Sequence, residues 1–386
     1  MSESGARWDG RVRALVAAGR DPSRERIVEM VNTQASRLGA RGVDDETAMV
    51  ERSLLGLGPL EEVVADPCVT DVLVNGDGSV WVDRGHGVER SRVSVPTDSL
   101  RALAVRLAAQ AGRRLDDAQP WVDGRLPGGA RLHAIIPPLV EVGAHVSLRI
   151  PRASPGSVAE LVSLGSCCAE VGAVLTRIVH GGLNFLVCGG TGTGKTTVLA
   201  GLVSEVPAQE RVVIVEDVTE LAPMHPHVVR LQGRSMNVEG QGQVTMVDLV
   251  RQALRMRPDR LVVGEVRGGE VRELLTALNT GHAGAGTVHA NSARDLPSRL
   301  HALGALAGLQ PAAVEAHLRS AVDVVIAMAR EGAVRRVVEV SVLRPDGPDG
   351  VHCVPALASP RPGVLVRGPA WAVLEARLDR QGRGGS

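Results

Sequence analysis

The sequence predicts an α/β protein of two parts, a smaller α+β domain followed by a three-layer domain built on a mostly parallel sheet. Three observations carry that prediction. Beyond residue 156, short apolar runs alternate with helical patterns, the sequence form of a parallel sheet covered by helices. Between residues 60 and 150 the chain instead shows hairpin signals around a single helix. One glycine-rich loop joins an apolar strand to a helix start, the pattern of a phosphate-binding loop.

The elements follow in order. Residues 1–59 read as an N-terminal helical region, with Ile27, Val31 and Leu38 on one face and Leu54, Leu55 and Leu57 after a charged turn. Gly58-Pro59 breaks that pattern. Val72-Leu73-Val74, the turn Asn75-Gly76-Asp77-Gly78 and Val80-Trp81-Val82 make the strongest hairpin signal in the chain. A helix over 97–112 puts Leu100, Leu103, Ala104 and Leu107 on one side. Strand and turn over 125–132 and a strand over 145–150 complete an α+β domain spanning 60–150. A Pro/Gly/Ser-rich linker follows at 151–160. The domain over 161–345 then runs through strands at 184–188, 211–215, 228–231, 261–263 and 287–288, and ends on 322–327 and 334–342. Residues 346–386, rich in Pro, Gly and Arg, read as a weakly ordered tail.

Composition narrows the chemistry. With 44% hydrophobic residues over 386 positions, there is apolar material for two cores. Acids and bases balance at 43 each, and of the 43 bases one is lysine, Lys195, and the rest arginine. A GC-rich coding bias accounts for the arginines, so the retained ammonium marks a place where a compact point charge is needed and a planar guanidinium will not do. The aromatic residues are Trp8, Trp81, Trp121, Trp371 and Phe185, too few for a platform that stacks single-stranded nucleic acid. Zero net charge removes a global attraction to DNA or an anionic membrane, so no direct nucleic-acid binding is expected. The five cysteines form no C-x-x-C pair, which suggests neither a disulfide framework nor a zinc site. Met1 to Pro22 holds no apolar leader and no stretch is apolar enough to span a bilayer, so a reducing, cytoplasmic setting is expected.

Gly189-Gly190-Thr191-Gly192-Thr193-Gly194-Lys195-Thr196 fits G-x-x-x-x-G-K-[ST] in full, between an apolar strand and a helix beginning near Thr196. Its glycines let main-chain N–H groups and the helix N-terminus face the phosphates of ATP. Lys195 would reach the β- and γ-phosphates, the Thr196 hydroxyl would ligand Mg²⁺, and Thr197 completes the nucleotide-binding set. Further on, Glu216-Asp217 and Glu220 stand at a strand end, on the side where parallel sheets bind ligands. There Glu216 and Glu220 can tune the water shell and Asp217 the metal of the nucleotide; equally, Asp217 and Glu220 are spaced like a helix capping box. Leu261-Val262-Val263-Gly264-Glu265 resembles a Walker B strand, whose acid orients or deprotonates the attacking water. The alternative for Glu265 is an ion pair with Arg267. Residues 280–291 place His282 and His289 around a glycine-rich turn, either as imidazoles that sense the γ-phosphate or as structural residues.

In that order the phosphate loop, the acidic box 216–220, the segment 257–268 and the histidine box resemble the type II/IV secretion ATPase superfamily. The blocks Leu54-Leu55-Gly56-Leu57-Gly58-Pro59-Leu60, 71–76, Gly124-Arg125-Leu126-Pro127 and Ile135-Ile136-Pro137-Pro138 are similar to its CpaF/TadA branch, and the resemblance covers roughly residues 50 to 345. It implies a RecA-like P-loop ATPase domain preceded by a PAS-like α+β domain. It also implies a homo-hexameric ring at the inner face of the cell membrane, hydrolysing ATP to drive Tad/Flp-type pilus assembly or secretion through an inner-membrane platform protein. Arginines of the N-terminal domain would then help contact the γ-phosphate, and the matching positions are Arg125, Arg131 and Arg149. Two departures stand out: the interval from His282 to His289 is one residue shorter than the family's, and the tetracysteine module of some branches is missing. The second favours the CpaF/TadA or conjugation-associated branch. Two other functions stay open. One is a conjugation-associated DNA translocase ATPase, and the other a nucleotide-binding scaffold with little turnover, hinted at by the short histidine interval.

Overall fold

In the computed structural model, which describes residues 56–151, 156–234, 241–332, 334–346, 350–361 and 363–382, the chain divides into two units, Met1–Arg152 and Ala153–Ser386. Of the helical region expected at 1–59, residues 1–55 lie outside the described residues.

The first unit is an antiparallel sheet in the order β3-β2-β1-β6-β5-β4. Its strands are β1 (Asp71–Val74), β2 (Ser79–Asp83), β3 (Val88–Ser94), β4 (Trp121–Arg125), β5 (Arg131–Ile135) and β6 (His145–Arg149). The β1–β2 hairpin closes as its turn residues predict. Asp77 Oδ1 accepts from the Ser79 backbone N–H at 2.9 Å, and Gly78 sits at φ +80° with the Val95 carbonyl 2.0 Å from where a Cβ would be, so only glycine fits. A short helix α1 (Glu61–Val64) precedes β1, and α2 (Thr97–Gln110) packs on the sheet. Its Leu100, Leu103, Ala104 and Leu107 recur at helical spacing and bury against Val72, Val74, Leu132 and Val146, which alternate along the strands.

The second unit carries a nine-stranded sheet, β15-β14-β13-β12-β7-β11-β10-β8-β9. The parallel part comprises β7 (Phe185–Gly189), β8 (Val212–Glu216), β9 (Val228–Gln232), β10 (Arg260–Val266), β11 (Ala283–His289) and β12 (Val324–Glu331). Both faces are covered, as near-continuous apolar strands require. On one face Phe185, Val187, Val212 and Ile214 join α3 (Val158–Ser163), α4 (Ala169–His180) and α5 (Lys195–Ser204). On the other, Leu186, Cys188, Val213 and Val215 pack with α6 (Met246–Ala253), α7 (Glu270–Asn279), α8 (Leu296–Leu306) and α9 (Pro311–Ala321).

Three local expectations are corrected. The tail expected to be weakly ordered from residue 346 instead forms β14 (Gly350–Arg361), β15 (Val364–Arg367) and α10 (Trp371–Gly382), which extend the sheet beyond β13 (Val334–Asp346). Its proline and glycine content hides an apolar set, Ala356, Leu357, Ala370, Leu374 and Leu378, that buries against the core of the unit. The glycine-rich turn expected at 280–291 is largely strand β11. Gly284 there leaves 2.5 Å between a Cβ and the Leu261 carbonyl, so small residues let a central strand approach its neighbour and α7. No helix follows Glu216, so the capping-box alternative for Asp217 and Glu220 falls. Among the described residues no helix is long and apolar enough to cross a membrane.

Candidate nucleotide site

β7 is buried along its whole length and delivers Gly189 to the sheet edge, where the loop turns into α5. Gly192 and Gly194 adopt φ of +70° and +90°, conformations that an L side chain resists, and Gly194 is the residue that caps α5. Thr193 Oγ1 donates to the Gly190 carbonyl at 2.9 Å, which braces the loop from inside. Lys195, the first residue of α5, donates from Nζ to the Gly189 and Gly190 carbonyls at 2.9 and 2.7 Å. Burial lowers its pKa, and the negative charge of Glu265 opposes that shift. Thr196 and Thr197 lie half-buried in the first turn of the same helix.

The next carboxylates enter from β8 and β10, which pair in parallel. Glu216 ends β8 with 4% exposure, and its Oε1 accepts from the Glu220 and Leu221 backbone N–H groups at 3.0 and 2.9 Å. Burial raises its pKa, and those two N–H bonds resist the rise. Glu216 thus ties down the loop that follows it, leaving Asp217 and Glu220 exposed in that loop. Gly264 makes room for it, since a Cβ there would stand 2.6 Å from Glu216 Cγ. One residue on, Glu265 is partly exposed and accepts from Arg267 Nη2 at 2.5 Å, so the ion pair foreseen as its alternative is present. Arg267 has a raised pKa, first through that hydrogen bond and then through the charges of Glu265, Glu220 and Asp217. Lys195, Glu265, Arg267, Asp217 and Glu220 therefore form one electrostatic neighbourhood at the ends of β7, β8 and β10.

The two histidines separate. His289 ends β11 and is the direct strand partner of Gly189, beside the loop. His282 precedes the other end of that strand, and seven residues at about 3.3 Å each put it roughly 20 Å away. Of the two readings, γ-phosphate sensing and a structural role, the first is corrected for His282, because an extended β11 carries it to the opposite end of the parallel strands. In the first unit, Arg125, Arg131 and Arg149 are consecutive cross-strand partners on β4, β5 and β6, and Asp71 on β1 closes the row. Cross-strand partners share a face and neighbouring strands lie about 4.8 Å apart, so the three guanidinium groups start from adjacent positions. Arg149 Nε donates to Asp71 Oδ1 at 3.2 Å, and Arg125 Nε to the Gly129 carbonyl at 3.2 Å.

Residues 53–340 match the family described as Type II/IV secretion system protein. The chain belongs to that family. A Mycobacterium tuberculosis protein named for conjugal transfer is 51% identical over 316 residues, covering 80% of this chain and 90% of its own length. The conjugal transfer protein TrbB of Rhizobium radiobacter is 32% identical over 285 residues, covering 71% of this chain and 84% of its own. The crystal structure of the pilus retraction motor PilT with bound ADP has the same fold, with a TM-score of 0.53 at 19% identity over 83% of this chain and 85% of that one. Type II/IV secretion ATPases hydrolyse ATP, and the chain is an enzyme of that class, with a RecA-like domain behind a smaller α+β domain.

Several residues of this secretion ATPase's site escape a reading of motifs alone. Thr287 Oγ1 donates to the Gly264 carbonyl at 2.7 Å and so fixes the backbone just before Glu265. Buried Glu270 accepts from the Arg267 and Gly268 N–H groups at 2.6 and 2.9 Å, holding the turn between β10 and α7. Arg335 Nε donates to the Gly192 carbonyl at 3.0 Å across 143 positions of sequence, which only knowledge of the strand order would reveal.

Proposed function

We propose that the chain works as a homo-hexameric ring at the cytoplasmic face of the inner membrane, of the CpaF/TadA-like branch, converting ATP hydrolysis into motion of a membrane platform protein. The convergence of Lys195, Glu265 and the loop 189–196 at one end of the parallel strands supports the ATP hydrolysis in this reading. Backbone N–H groups of the loop and Lys195 hold the β- and γ-phosphates. The Thr196 hydroxyl and the Asp217 carboxylate are oxygen donors suited to a hard cation, and among the described residues no group of three His, Cys, Asp or Glu would hold one alone, so magnesium would come with the nucleotide. When bound, magnesium neutralises phosphate charge.

Glu265 orients the attacking water and accepts its proton, with Arg267 keeping the carboxylate in place. His289, next to Gly189, registers the loss of the γ-phosphate through a hydrogen bond. The row Arg125, Arg131 and Arg149 supplies positive charge to the transferring phosphoryl group. Replacing each of the three by alanine singly and measuring phosphate release tests that role. At least one variant should lose about 100-fold or more in kcat, the scale of a transition-state arginine, and three unaffected variants would remove the row from the mechanism.

A DNA translocase for conjugation is the second reading, favoured by the conjugal-transfer names of the relatives that are 51% and 32% identical. Duplex DNA added to the ATPase assay separates the two. Stimulation that collapses steeply with salt supports translocation, and a rate indifferent to DNA supports work on a protein platform.

A further inference from the structure

The β12–β13 hairpin extends past the end of β7 and lies against the phosphate loop. β12 pairs with β7 as far as Ala327 beside Cys188, then continues, and β13 returns so that Arg330 and Arg335 are direct cross-strand partners. A bulge between Ala327 and Met328 sits level with the loop, the kind of irregularity that re-aims a strand end. Met328 and Val337, the pair two residues below on the same face, are buried with Val198 and Leu199 of α5. Side chains two apart share a face, so Arg330 and Arg335 stand where that face rises above the core and meets the loop. The contacts agree. Arg335 Nε donates to the Gly192 carbonyl at 3.0 Å, Arg335 Cδ lies 3.4 Å from where a Gly194 Cβ would be, and Arg330 Nη1 lies 3.6 Å from the same point on Gly192.

Two guanidinium groups directly opposite each other on antiparallel strands repel. Glu331, between them in sequence, is engaged by Arg336 at 2.7 and 3.3 Å, and Arg330 Nε donates to the Gly332 carbonyl at 3.0 Å. A polyanion seated between the two arginines converts the repulsion into charge-assisted, forked hydrogen bonds. We propose that Arg335 and Arg330 are further nucleotide-binding residues, taking phosphate oxygens from the hairpin side of the loop while Lys195 and the loop N–H groups take them from within. The assignment rests on the loop 189–196 being the nucleotide site. It also makes the hairpin, and through Arg336 the strand β14 that accepts from it at the Pro360 carbonyl, part of what senses an occupied loop.

ADP titrated calorimetrically into the full chain tests this, with Arg335→Gln, Arg330→Gln, Arg335→Lys and Lys195→Ala compared. Glutamine keeps a donor for the Gly192 carbonyl and removes the charge, which separates phosphate binding from simple bracing of the loop. Each glutamine variant should bind ADP about tenfold or more weakly, and Arg335→Lys should recover part of the loss. The rise in Tm on adding ADP should shrink in both glutamine variants. Glutamine variants that bind ADP within about twofold of wild type while Lys195→Ala fails to bind overturn the assignment and leave the nucleotide site standing. A wild type that binds no ADP overturns both. Should Arg335→Gln fail to fold, Arg330→Gln and Arg335→Lys decide by the same comparison.

Discussion

Lys195 Nζ donates to two carbonyls of its own loop while the Glu265 carboxylate holds its charge against the pull of burial. A guanidinium is broader and planar, so Lys195→Arg should lose ATP hydrolysis as completely as Lys195→Ala, by about 100-fold or more in a phosphate-release assay. Glu216 makes a different prediction, through pH. Its folded pKa is raised by burial, so between the ordinary carboxylate value and that raised value the native state binds the extra proton and stability falls as pH rises. Glu216→Gln keeps an acceptor for the Glu220 and Leu221 N–H groups and cannot ionise. The Tm of the wild type relative to this variant should therefore be highest near about pH 4 and decline toward neutrality, and a difference flat across pH would contradict the buried-carboxylate picture. The histidines separate as well. His289→Ala should slow hydrolysis, whereas His282→Ala, at the far end of the strand, should leave kcat near wild type.

Element by element, glycines decide which strands can sit side by side. Gly264 on β10 leaves 2.6 Å between a Cβ and Glu216 Cγ, both of them buried, so Gly264→Ala should cost about 1–3 kcal/mol in denaturant unfolding through overpacking, with activity falling further as Glu265 shifts. Glycines of this kind also explain what the sequence conceals. The strands β7, β8 and β10 are legible because Val, Leu and Ile fill them, and the loop 189–196 because its motif is complete. Of β11 the end at 287–288 is legible as a strand and the rest is not, because the close approach of Gly284 and Gly286 to β10 is a tertiary demand that reads locally as a turn. The C-terminal strands are hidden in the same way, since Pro355, Pro360 and Gly368 mask the apolar positions that bury them. Arg330 and Arg335 are hidden for a third reason: nothing local says that β12 lies next to β7.

Across the molecule, the candidate site residues fall in two units. The phosphate loop and the acids belong to the second, and the row Arg125, Arg131 and Arg149 to the first. Family membership makes the chain an ATP-hydrolysing enzyme, and in the proposed mechanism Glu265 is the residue on which turnover depends. Its role is measured most directly by steady-state phosphate release from the full chain and its Glu265→Gln variant, with ATP binding followed alongside. Release slowed by about 100-fold or more with ATP still bound is the predicted result, and a variant that hydrolyses ATP as fast as the wild type would contradict it.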